Sequence, residues 1–156
     1  MKWNIFKRSD APKPQRPALV IDADGETFVT HQPSWNEVVE AIDAIQPGSS
    51  PVLIRPGGHQ IRADGGRVRF TIIFRESAAT ENLLVIGRKT GSKSRGRAEF
   101  DGDLVVTSPL EWWSQEDGLE VFETFYNGGS LEERFVLRDP TIPVTAERID
   151  AIIRGA

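Results

Sequence analysis

Any chemistry in this chain has to come from a short list of side chains. There are two histidines, no cysteine, and 23 Asp and Glu. Without cysteine there is no thiolate nucleophile, disulfide, zinc ribbon or iron–sulfur ligation, a usage that fits a reducing compartment. His31 and His59 have no Ser or Asp at a spacing that predicts a triad, although triads are assembled in space and not along the chain. Their separation also excludes the helical His pair of a zinc hydrolase. Asp101-Gly102-Asp103 resembles a fragment of a calcium loop, but the other ligands and the terminal Glu are out of register, so a turn is expected.

Gly87-Arg88-Lys89-Thr90-Gly91-Ser92-Lys93-Ser94 follows an apolar strand and nearly spells a phosphate-cradling loop. That loop needs Gly directly before its Lys, where Ser92 stands. It also needs a helix straight after the Lys-Ser pair, where Arg95-Gly96-Arg97 offers none. A solvated basic loop is the expectation, and no metal or cofactor is called for. Arg55, Arg62, Arg67, Arg69 and Arg75 add further basic residues upstream. No aromatic residue interrupts the basic loop to stack on bases, and the net charge is −4, so nucleic acid is not the expected partner.

The charge is unevenly divided. Residues 1–98 hold 15 Lys and Arg against 10 Asp and Glu, whereas residues 99–156 hold 4 against 13. Fields of this kind steer association. Within the acidic part, Glu111-Trp112-Trp113-Ser114-Gln115-Glu116-Asp117-Gly118-Leu119-Glu120 is the most informative stretch. Two adjacent Trp cannot both enter one core from one regular element, so one indole is expected at the surface. Tryptophan is a frequent interface anchor, and carboxylates beside it steer a cationic partner. The expected partner-binding residues are therefore Glu111, Trp112, Trp113, Glu116, Asp117 and Glu120.

The elements that must position these groups are legible in outline. Residues 1–17 alternate Pro with charge and are expected as an extended arm, with one domain over 18–156. Strands are expected at 18–22 and 27–31 around Asp24-Gly25, a dipeptide that accepts the positive φ values of a tight hairpin. Ser34 and Glu37 form a capping box before a helix whose Trp35, Val38, Val39, Ile42 and Ile45 share one face. Pro47-Gly48 ends it. Strands follow at 52–55, 60–63 and 67–75, the last with Val68, Phe70, Ile72 and Phe74 on one face and arginines on the other. Further strands are expected at 81–87, 103–107 and 133–138, with helices over 109–126 and 144–154. Short turns demand antiparallel pairing. The expected class is α+β: a mainly antiparallel sheet of about six to eight strands with helices packed on one face.

Ser34-Trp35 opening an amphipathic helix, the strand meander, and Phe122-Glu123-Thr124-Phe125-Tyr126-Asn127-Gly128-Gly129 together resemble small immunity proteins of bacterial polymorphic-toxin and contact-dependent inhibition systems, over residues 27–130. The resemblance implies a cytoplasmic protein that binds and neutralises a cognate toxin domain, frequently a nuclease, without catalysis. The expected partner is thus a toxin protein, with no nucleic acid and no membrane. The N-terminal apolar run, Trp3 to Phe6, is too short for a signal peptide, and no stretch approaches the ~20 apolar residues of a span. A small-ligand or regulatory domain, and an enzyme whose site motifs do not reveal, are the competing classes.

Overall fold

Alternating apolar residues separated by Gly-containing turns build a single antiparallel ladder. The computed structural model describes residues 16–66, 68–76, 82–89, 99–101, 104–107 and 109–140. The expected helix over 144–154 and all but the end of the N-terminal arm lie outside them. β1 (Ala18–Ala23) and β2 (Glu26–Thr30) form a hairpin closed by Asp24 and Gly25 at φ 50° and 81°, the left-handed pair of a type I′ turn. α1 (Trp35–Asp43) starts at the Ser34–Glu37 capping box. β3 (Ser49–Ile54), β4 (Gln60–Gly65), β5 (Phe70–Arg75) and β6 (Leu83–Arg88) then form the meander.

β7 (Glu99–Asp101) and β8 (Leu104–Thr107) are a separate two-stranded ribbon. A 3₁₀ turn at Pro109–Glu111 precedes α2 (Gln115–Tyr126), which is capped by Ser114 accepting from the Asp117 N–H. The helix expected over 109–126 is therefore two elements, because the Ser114 cap restarts the backbone. α3 (Leu131–Arg134) is one turn, and β9 (Phe135–Arg138) closes the sheet in the order β2-β1-β3-β4-β5-β6-β9 with every pairing antiparallel. The α+β class, with its mainly antiparallel sheet, is what the turn lengths implied. No described helix is long and apolar enough to cross a membrane.

α1 and α2 run antiparallel on one face of the sheet. Gln115 Nε2 donates to the Asp43 carbonyl at one end, and Tyr126 Oη donates to the Pro33 carbonyl beside the Trp35 ring at the other. Val38, Ile42 and Ile45 of the α1 region and Val121, Phe122 and Phe125 of α2 meet Leu53, Ile61, Ile72 and Ile86 of the sheet, all inaccessible to solvent. Gly118 lets α2 approach closely: a Cβ there would lie 2.4 Å from Phe70 Cζ. Arg55 ties the β3–β4 turn to the end of α2. Its guanidinium donates to the Phe125 and Gly129 carbonyls and sits 4.0 Å over the Phe125 ring. That is the favourable charge at a helix C-terminus, and burial pulls the Arg55 pKa below its ordinary value.

Candidate functional site

The stretch expected to grip a partner is built into the fold. Beyond the 3₁₀ turn, Trp113 bridges to the first residue of β5: Phe70 N–H donates to the Trp113 carbonyl and Trp113 N–H to the Phe70 carbonyl, both at 2.9 Å. Consecutive residues of an extended segment point to opposite sides. Trp113 enters the main core, 1% exposed, and donates its indole N–H to the Ile86 carbonyl. Trp112 falls on the other side, 6% exposed, beneath the Arg69 guanidinium 3.9 Å above its ring. The expectation of a surface indole is corrected here: the two rings do not share one core, and each is covered on its own face.

Glu111 is also interior, paired in bidentate fashion with Arg138 at 2.7 and 2.9 Å. Asp117 is half-buried against Arg88 at 3.0 Å. Arg88 also donates to the Trp112 carbonyl and lies over the Trp113 ring, so the first basic residue of the near-phosphate-loop is a structural staple. The rest of that loop lies outside the described residues, apart from Lys89, whose ammonium donates to the Glu133 carbonyl. Of the six residues expected to bind, Glu116 and Glu120 alone are exposed, Asp117 being intermediate.

Those two belong to a larger surface. α1 carries Glu37, Glu40 and Asp43 and α2 carries Glu116, Asp117, Glu120 and Glu123; neither helix contains a Lys or Arg. All but Asp117 are exposed, on adjacent helices, with Glu132 and Glu133 of α3 close behind. Glu37, Glu40 and Asp43 come from the part of the chain with a net positive count. The apolar period of α1 already turned them outward, but which helix lies beside them is a tertiary fact.

The opposite face of the sheet holds a groove of about 460 Å³. Strand register lays Val20, Val52, Arg62 and Ile73 in one lateral row, and Ile54, Gln60, Arg75 and Leu83 in the next. A polar row flanks them. Arg62 Nε donates to Asp64 at 2.9 Å, Asp64 accepts from the Ser50 hydroxyl, and Asp22 accepts from Thr27 at 3.0 Å and more weakly from Arg62 at 3.4 Å. Of the meander arginines, Arg55, Arg62 and Arg69 are each engaged by a neighbour and Arg75 lines the groove, so the described ones make no uniform basic patch; Arg67 lies outside the described residues.

His31 and His59 are both exposed, His59 edge-on to Phe74 at 5.9 Å. Among the described residues no three His, Cys, Asp or Glu side chains are grouped as a metal would require. Compared with protein-family models, curated proteins and solved structures, the chain matches none.

Proposed function

We propose that this chain is an immunity protein that binds and neutralises a cognate bacterial toxin domain, such as a nuclease, in the cytoplasm and without catalysis. The observation that supports this reading is the outer surface of α1 and α2: six exposed carboxylates on two adjacent helices that contain no Lys or Arg. A toxin that acts on a phosphate chain presents a cationic cleft. A rigid anionic surface competes for that cleft and is drawn to it over a Debye length. The docking residues are then Glu37, Glu40, Asp43, Glu116, Glu120 and Glu123, with Trp113 in the core beneath the helices that carry them.

The test is charge reversal on this surface, read as the rate of association with a cognate toxin domain. Glu116→Lys, Glu120→Lys and Glu123→Lys together should slow association about tenfold or more at low salt, with a weaker salt dependence and unchanged thermal unfolding. An unaltered association rate removes this surface from the reading.

A second reading, a small-ligand domain, draws on the groove of the open sheet face, where an apolar floor of Val52, Ile54 and Ile73 adjoins Arg75. That lining suits an anion with an apolar body. Titration with laurate should then shift the amide resonances of Ile54, Ile73 and Arg75. A spectrum that does not move eliminates it.

A further inference from the structure

The two edges of the seven-stranded sheet are treated differently. β9 follows directly on a helical turn, and its last residue, Arg138, is held by Glu111. β2 has only β1 beside it among the described strands, and it is exposed along nearly its whole length. Phe28 is 55% and Val29 52% exposed, two of the four large apolar residues so placed among the described residues. The strand Glu26-Thr27-Phe28-Val29-Thr30 carries no Lys, no Pro and no shift in its register with β1, and its one charge, Glu26, stands at the hairpin end.

Hydrogen-bond parity says which backbone groups are unclaimed. Asp24 N–H donates to Gly48 across β1 and β3, so the even residues of β1 face β3 and the odd ones face β2. Their partners Glu26, Phe28 and Thr30 turn their N–H and C=O groups toward β1. Thr27 and Val29 therefore turn theirs to the open edge.

We infer that β2 pairs antiparallel with β2 of a second copy of this chain, about a two-fold axis through Phe28. Only an even register brings outward backbone groups together, and the register centred on Phe28 is the one that pairs all five residues. Thr27 and Val29 then exchange hydrogen bonds with Val29 and Thr27 of the second copy. Glu26 meets Thr30, so no carboxylate opposes another. The two Phe28 rings form a directly opposed, non-hydrogen-bonded pair, which accounts for a Phe left half in water by its own chain. A two-fold contact needs a self-complementary surface, and this strand supplies one. The carboxylates of α1 and α2 take no part in it, so the inference stands independently of toxin binding.

The chain has no cysteine, which makes the register directly readable. In the full-length protein, Phe28→Cys places two thiols on residues whose Cα atoms are about 4.5 Å apart, within the range a disulfide spans. Mild oxidation should give a covalent dimer. Thr30→Cys places its thiols roughly 14 Å apart along the strands and should not cross-link. Val29→Pro removes an outward N–H while sparing the β1 ladder, and should raise the dimer dissociation constant by about tenfold or more in sedimentation equilibrium. Phe28→Glu should do the same where the proline variant folds poorly. A monomer mass throughout the micromolar to near-millimolar range overturns the inference, as does cross-linking at Thr30 equal to that at Phe28.

Discussion

The two faces of the sheet are built from alternate residues of the same strands, yet they have different fates. On the helix-covered face, Leu53, Ile61, Ile72 and Ile86 are sealed completely beneath α1 and α2. On the other face, Val20, Val52, Ile54, Ile73 and Leu83 are equally apolar in type but share that face with Asp22, Arg62, Asp64 and Arg75. Among the described residues its β6–β9 end is closed by the segment that carries Glu111 and Trp112: a Cβ on Gly87 would meet Glu111 Cγ at 3.2 Å. One face therefore carries the cohesion of the domain, whereas the other leaves apolar and charged surface available for contact. Trp112, Val85, Leu110 and Val52 are buried as well but stand outside the main cluster, as a second patch.

That division ranks the substitutions that probe it. Trp113→Ala empties the largest fully buried side-chain site and orphans the Ile86 carbonyl; a loss of about 3–5 kcal/mol is expected in urea unfolding. A smaller loss than for Trp112→Ala would mean the second patch is the dominant core. Glu111→Ala removes the bidentate carboxylate from Arg138 in a site only 14% exposed and should cost about 3 kcal/mol, while Glu111→Leu with Arg138→Met should restore most of it. If the double variant is no better than the single, the ion pair is required there for more than charge balance.

Gly118→Ala tests how tightly the covered face is closed. In an open helix the change stabilises, but here the new methyl meets the Phe70 ring, so a net loss of about 1–3 kcal/mol is expected. Stabilisation would show that the helix layer yields. Arg62→Met, on the open face, breaks contacts to Asp64 and Asp22 that are 39–44% exposed and should shift stability by less than about 1 kcal/mol. A larger shift would move this charged row into the load that folding carries.

Much of the fold was legible because local rules agreed with it. The Asp24-Gly25 turn, the Ser34–Glu37 box and the alternation of β5 each state their element within a few residues. Where the pattern was short or mixed, it misled. Glu99–Asp101 has three residues with one apolar among them, too short a stretch for alternation to mark β7, and its last residue falls in the expected turn at 101–103. Val68 reads as the first inward residue of β5, but the strand starts at Phe70 and Val68 is 88% exposed. The 133–138 stretch opens with the last residues of a helical turn. Ser114, with Asp117 three residues on, was an available cap signal for dividing 109–126.

The candidate site was legible only in half. Glu116 and Glu120 are where their surroundings suggested, at the surface, because carboxylates on the polar side of an amphipathic helix have nowhere cheaper to go. Which other carboxylates join them depended on α1 and α2 lying side by side.

By itself the sequence determined the elements whose signals lie within one turn or one hairpin: two capped helices, a strand meander and the antiparallel sense that short loops impose. Only the tertiary structure decided the fate of Trp112 and Trp113. Neighbouring residues on an extended segment project to opposite sides, and whether both sides are covered depends on Phe70, Ile86 and Arg69, partners 27 to 43 positions away along the chain. Burial is a property of what arrives from elsewhere, and no local pattern records it.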